Sequence, residues 1–424
     1  MGRTQRTRSR KKSSQFVQNM DHEETLINLR KFLARNGCND EVNLKLRNFP
    51  QTGRGLATTK NLHENDILIK VPYDLMITYA TLKRLNFLQI FTPSSKLTIQ
   101  DLLTTFLIFE RHKNDSFWRD YITSLPSHPP WLPALLSEHH CELLPVDLRL
   151  AAKKSRRLLE ESWSRVKGSI KQGWTCSCCG MKVDRVFDLH SFTWGFILVN
   201  TRAVYVDPGV VGEGGGGVLS DEPCMALCPF LDMFNHSDKA KCSAELKYEE
   251  GKLFYQLTTL TSYKKYEQVF ISYGGHDNVK LLMEYGFFIP GNCNDCISIQ
   301  SEEVFRVLRL GLGEGQYRFI NRHDLNKELF VGESGPSFNL KGFLFVASSS
   351  ASEVKDFASV VYTDSYPEEF LKSEMKDMCR KLLLCEMAKV EESLRGLKVL
   401  KVNSVIIDFL NCRHDFIKKL CEML

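Results

Sequence analysis

No apolar run in this sequence approaches the roughly 18 residues that a membrane-crossing helix needs. The basic N-terminus is not followed by the apolar stretch of a secretory signal. Arg6 stands where an N-myristoylation motif beginning at Gly2 needs Ser or Thr. The expectation is therefore a protein that stays inside the cell and makes no membrane contact. A net charge of only +5 is too small to coat a nucleic acid, so no sequence-specific nucleic-acid binding is expected. No internal repeat is present, which excludes a solenoid. The glycine-rich stretch Gly212–Gly217 lacks the following Lys-Ser/Thr of a phosphate cradle and reads as a flexible loop.

What is present is ordinary globular composition, 43 % hydrophobic and 25 % charged, in 424 residues, which is too long for one core and predicts two or three domains. The fourteen cysteines read as reduced thiols or metal ligands in a reducing compartment, not as disulfides. Six of the first twelve residues are basic (Arg3, Arg6, Arg8, Arg10, Lys11, Lys12). This arm, residues 1–20, is expected to be disordered. A nuclear-import signal and a plain solvated tail are equally weighted for it, which gives the expected localisation as nucleus and cytoplasm.

Along the chain, Glu24–Ala34 predicts a short amphipathic helix. Gly53–Ala57 and Ile67–Val71, ending at Pro72, have the rhythm of strands separated by turns. From residue 98 the period becomes helical: Thr98 and Asp101 form a capping pattern ahead of Leu102, Leu103, Phe106, Leu107 and Phe109. Prolines 126, 129, 130 and 133 interrupt, and helix resumes through Leu158 and Trp163. Residues 98–190 thus read as a helical insert between two β-rich parts, 48–97 and 191–290. Strand is expected over Phe192–Asp207, Leu253–Leu257 and Val269–Tyr273. In 300–424 the apolar spacing of Phe370, Leu371, Met375, Met378, Leu382 and Leu383 predicts an all-helical domain, with a last helix over Val405–Leu424.

Three clusters carry the chemistry: Gly53-Arg54-Gly55, then Asp232-Met233-Phe234-Asn235-His236-Ser237, then Ser272-Tyr273-Gly274 with Glu284-Tyr285-Gly286-Phe287. Each alone is an ordinary turn or loop. In this order, with strand before each and a helical insert after the first, they resemble the SET-domain protein lysine methyltransferases. The resemblance is closest to the branch that includes the Rubisco large-subunit lysine methyltransferase, and it covers nearly the whole chain beyond the basic arm.

The resemblance implies an α+β fold, with small sheets and a pseudoknot that a no-threading rule would not predict. It also implies a helical C-terminal substrate-binding domain. It implies S-adenosyl-L-methionine as cofactor, met by Gly53, Arg54, Gly55, Arg202, Asn235, His236 and Tyr273. Gly53 and Gly55 would let the backbone pass close to the cofactor, and the Arg202 guanidinium suits a carboxylate bidentately. Tyr273 matches the catalytic tyrosine, expected to orient a neutral lysine amine rather than to act as a strong base. Asp232 and Tyr285 match substrate-side positions, Tyr285 as an aromatic wall of the lysine channel.

The implied reaction is methyl transfer to the ε-amine of a lysine in a protein, with a histone as one candidate acceptor, by a monomer. A histidine acceptor and a non-catalytic scaffold of the same fold stay open as alternatives. Cys293-Asn294-Asp295-Cys296 supplies two zinc ligands where a closed site wants four, and Cys176, Cys178 and Cys179 lie far upstream. No metal is expected, and these read as reduced thiols, with a zinc shared between the two groups open as the alternative.

Overall fold

A computed structural model describes residues 17–38, 44–211, 217–349, 357–400 and 403–424. The chain divides into two compact units, 1–130 with 157–274, and 131–156 with 275–424. The basic residues of the arm and most of the glycine-rich stretch lie outside the described residues.

In the first unit all but one of the expected strands form, and they are joined into small sheets. The largest has the order β1-β2-β3-β10-β7, with β1 at Gln18–Asn19, β2 at Lys45–Phe49, β3 at Gly53–Ala57, β7 at Asn235–His236 and β10 at Gln268–Ile271. All neighbours are antiparallel except β10 and β7, which run parallel. A second sheet has the order β4-β9-β8, built from Ile67–Pro72, Lys252–Thr259 and Cys242–Glu249, and β5 (Ala203–Tyr205) pairs with β6 (Met225–Leu227) in a third. The end of the arm departs from expectation: Gln18 pairs with Asn48 and Asn19 with Arg47 in the sheet, and Met20 is buried in the core.

The helix Ile99–His112 begins with the predicted reciprocal cap. The Asp101 backbone N–H donates to Thr98 Oγ1 at 3.2 Å, and the Thr98 N–H donates to Asp101 Oδ2 at 2.9 Å. Phe192–Arg202, expected as strand, is helix instead, within Leu189–Arg202; only Ala203–Tyr205 beyond it is strand. The β-branched content of the segment suggests strand, but Asp188 caps the helix by accepting from the Ser191 N–H at 2.7 Å. Packing then decides the matter. A Cβ added at Gly195 would meet Ile108 Cγ1 at 3.1 Å and the Thr104 carbonyl at 3.2 Å, so two helix backbones approach closely at this glycine.

The insert is not one body. The helix Val146–Ser169 gives its first part to the second unit and the remainder to the first. The second unit is mainly helical, with the long helices Met375–Val399 and Ser404–Met423. It is not all-helical: Cys296–Ser298, Phe330–Gly332 and Gly335–Pro336 form a three-stranded antiparallel sheet. Strands this short carry too little alternation to be read from sequence. Each unit has its own hydrophobic core. No helix among the described residues is long and apolar enough to cross a membrane.

Candidate active site

The five-stranded sheet brings the separated motifs together. Strand β10, which runs into Ser272-Tyr273, pairs with β3 on one side, Val269 opposite Leu56. On its other side it pairs with β7, Phe270 opposite Asn235 and Ile271 opposite His236. Asn235 fastens the first motif to the second: its Nδ2 donates to the Arg54 carbonyl at 2.9 Å.

This packing explains Gly55. A Cβ there would lie 2.5 Å from Gln268 Nε2 and 2.6 Å from Asn235 Nδ2, closer than real contacts allow. Gly53 has a different reason, a backbone φ of +68° that side-chain-bearing residues rarely adopt, with open space where a Cβ would stand.

Tyr273 is held at both ends. Its backbone N–H donates to His236 Nδ1 at 3.0 Å, and its hydroxyl donates to the Phe234 carbonyl at 2.7 Å. The two rings stack with centroids 5.1 Å apart and 20° between planes. A phenol that spends its proton on a carbonyl keeps its oxygen lone pairs available as acceptors.

Arg202 and Asp232 form a buried pair. Arg202 Nη1 donates to the Asp232 carbonyl at 2.9 Å and to Asp232 Oδ2 at 3.1 Å, and the Tyr121 hydroxyl donates to the same carboxylate oxygen at 3.0 Å. The Asp232 side chain is fully buried. Burial raises its carboxyl above the usual range, against the opposing pull of Arg202 and the Tyr121 hydrogen bond. Burial disfavours the Arg202 cation, but the charge and hydrogen bond of Asp232, together with Tyr121 and Tyr273, more than offset this and hold its pKa above the ordinary value. Arg54 is pushed down by burial and then by the neighbouring Arg202 charge, and its Nη1 donates to the Ser124 carbonyl at 3.0 Å. The segment leading into Asp232 is itself strained: buried Phe230 has φ +72° and ψ −37°, outside the regions a bulky side chain favours.

Seven of the nine residues singled out as cofactor contacts, substrate contacts or catalyst therefore share this sheet or the hydrogen bonds around it: Gly53, Arg54, Gly55, Asn235, His236, Tyr273 and Asp232. Arg202 reaches the group from the end of its helix. Tyr285 belongs to the second unit, where it ends the helix Asn278–Tyr285, and burial raises its phenol. Its ring lies beside those of His276 and Phe287, at 6.3 and 6.1 Å between centroids.

Three contributors escape the motif reading. Gln268 heads the strand that leads to Tyr273, and alternation along Gln268–Ile271 places it opposite the buried Val269 and Ile271, a signal present in the sequence. The Phe234 carbonyl and Tyr121 have no such signal.

The residues suit S-adenosylmethionine as an occupant. Arg202 Nε and Gln268 Nε2 are buried donors with no hydrogen-bond partner among the described residues. Gln268 stands beside Gly55 and Arg202 beside Asp232, and buried N–H donors of this kind suit the carboxylate and polar edges of such a ligand.

Residues 53–274, from the first glycine of the first motif to the glycine after Tyr273, match the SET domain family. SET domain-containing protein 4 of Mus musculus is 31 % identical over 80 % of this chain and 76 % of its own length. A ribosomal lysine N-methyltransferase of Schizosaccharomyces pombe is 25 % identical over 82 % of this chain and 84 % of its own. The solved SET domain of LSMT, bound to lysine and AdoHcy, has the same fold, with a TM-score of 0.62 over 95 % of this chain and 91 % of that one at 16 % identity. With its glycine, Asn-His and tyrosine motifs joined in one sheet, this chain belongs to the SET domain family.

Proposed function

We propose that this protein is an S-adenosylmethionine-dependent protein-lysine N-methyltransferase. The observation that carries the reading is Tyr273, fixed by His236 and by the Phe234 carbonyl just beyond the strand that joins the Gly53-Arg54-Gly55 and Asn235-His236 segments. The names of the fission-yeast relative and of the lysine-bound LSMT structure support lysine over histidine as acceptor.

The cofactor, when bound, supplies an electrophilic methyl group on a sulfonium. The protein has to present a neutral amine to it in line. A free lysine, with a pKa near 10.4, is mostly protonated at neutral pH. Tyr273 aids orientation: its hydroxyl proton is committed to Phe234, so its oxygen accepts from the amine N–H and helps to fix the lone pair. It does not take the amine proton as a strong base, because an ordinary phenol is neutral at pH 7. Asp232 and Arg202 act as positioning residues. By gripping the Asp232 backbone carbonyl, Arg202 sets the chain two residues before the carbonyl that holds Tyr273.

The test uses the full chain with methyl-labelled cofactor, nuclear and cytoplasmic extracts and purified histones as acceptors, followed by mass spectrometry of the labelled residues. Methyl-lysine formed by the wild type and lost with Tyr273→Phe is the expected result. Methyl-histidine as the product would overturn the acceptor assignment. Cofactor binding without any transfer would favour the scaffold reading.

A further inference from the structure

The strongest feature that methyl transfer leaves unused is a four-donor cluster in the first unit. Cys176, Cys178 and Cys179 are joined there by His112, and their four ligand atoms all lie within 4.8 Å of one another. His112 Nε2 is 3.1 Å from Cys179 Sγ, and Cys176 Sγ is 3.1 Å from Cys178 Sγ. Zinc held tetrahedrally, with sulfur at about 2.3 Å and nitrogen at about 2.0–2.1 Å, spaces its ligand atoms roughly 3.6–3.8 Å apart. The cluster's separations bracket that value. We propose that His112, Cys176, Cys178 and Cys179 bind one zinc ion as a structural site.

The local fold aims these donors at a common point. Residues 175–182 form a tight hairpin: Thr175 bridges to Lys182, the Cys176 N–H donates to the Met181 carbonyl at 2.8 Å, and the Gly180 N–H donates to the Cys176 carbonyl at 2.8 Å. Gly180 closes the turn with φ +69°, so three sulfurs come from four consecutive residues. His112 arrives as the last residue of the helix Ile99–His112, where the carbonyl end of a helix favours a cation. Three thiolates and an imidazole are soft and borderline donors that select zinc over magnesium or calcium. Four protein ligands leave no open position, so the site is structural rather than catalytic. On binding, each cysteine thiol gives its proton to solvent and the imidazole coordinates in its neutral form.

The site has structural work to do. Apart from the ligands, the turn is tied to the same helix by Trp174, which packs edge-on against Phe109 at 5.0 Å. A few residues later begins the helix that ends in Arg202. The zinc would staple the turn to the C-terminal end of Ile99–His112 and so fix the start of that helix. The Cys293/Cys296 pair belongs to the second unit and takes no part in this cluster.

The full chain, expressed with zinc and purified under reducing conditions without chelator, is analysed for metal by plasma mass spectrometry. The expected content is one zinc per chain. That content falls at least tenfold in Cys179→Ser and His112→Ala, and is kept in His112→Cys and in the Cys293→Ser/Cys296→Ser double variant. Should the loss variants fail to fold, cobalt titration of the chelator-treated wild type reads the same site through sulfur-to-cobalt charge-transfer absorption. Less than a tenth of a zinc per chain together with no thiolate–cobalt bands overturns the proposal. So does full zinc retention in folded Cys179→Ser and His112→Ala, or a disulfide among Cys176, Cys178 and Cys179 in the reduced preparation.

Discussion

The backbone N–H of Tyr273 donates to Nδ1 of His236, and this single bond determines the state of the imidazole. A backbone N–H can only donate, so Nδ1 must carry a lone pair and the ring proton of the neutral histidine sits on Nε2. The Ile271 carbonyl, 3.3 Å from the same Nδ1, is then a neighbour and not a partner, since both are acceptors. His236 thus acts on Tyr273 through the main chain and by ring stacking, while the hydroxyl is directed separately by Phe234.

Breaking the buried pair should separate stability from hydrogen bonding. Asp232→Ala removes the partner of the buried Arg202 cation and is expected to cost about 3–5 kcal/mol, as loss of one member of a buried pair does. Tyr121→Phe removes only one hydroxyl donor to the same carboxylate and should cost less, about 1.5–3 kcal/mol. Urea denaturation of both variants checks the order. A smaller loss for Asp232→Ala than for Tyr121→Phe would contradict the arrangement.

Gly55→Ala places a methyl group against two side-chain amides. Gln268 can swing aside, but Asn235 cannot do so without releasing the Arg54 carbonyl. We expect cofactor affinity to fall at least tenfold, equivalent to about 1.4 kcal/mol, as measured by calorimetric titration. Adding Gln268→Ala should restore only part of it. Full rescue would mean that Asn235 is not the obstacle.

A pH effect on stability is expected in the second unit. Burial, then the adjoining Glu303 carboxylate, pushes Glu386 up to about 7. Glu303 resists its own burial through hydrogen bonds from Glu386 and Lys389 and is held down at about 2. Between the ordinary glutamate value of 4.5 and about 7, folded Glu386 holds a proton that the unfolded chain has released. Its stabilising contribution is complete below pH 4.5 and is lost as pH rises through 7, at on the order of 1 kcal/mol per pH unit. Glu303 acts in the opposite sense, its contribution being lost as pH falls from 4.5 toward 2. Thermal unfolding between pH 5 and 8 should therefore decline more steeply in wild type than in Glu386→Gln. Parallel curves would refute the shared proton.

Short-range signals were enough for the Thr98–Asp101 cap, the strands at Gly53 and Ile67, and the long C-terminal helices. The sequence also held the motifs and their order, which is how Asn235, His236 and Tyr273 could be named. It did not determine Phe192–Arg202, where β-branched residues suggest strand and the close approach allowed by Gly195 makes a helix the better packed state. Nor could it show that residues 131–156 leave the insert for the second unit, or that Tyr121 completes the Asp232 pair from 111 positions away. Such partners meet only when burial and backbone pairing close long loops, and no short-range pattern records the meeting. For the same reason three cysteines read as plain thiols until the fold set His112 beside them.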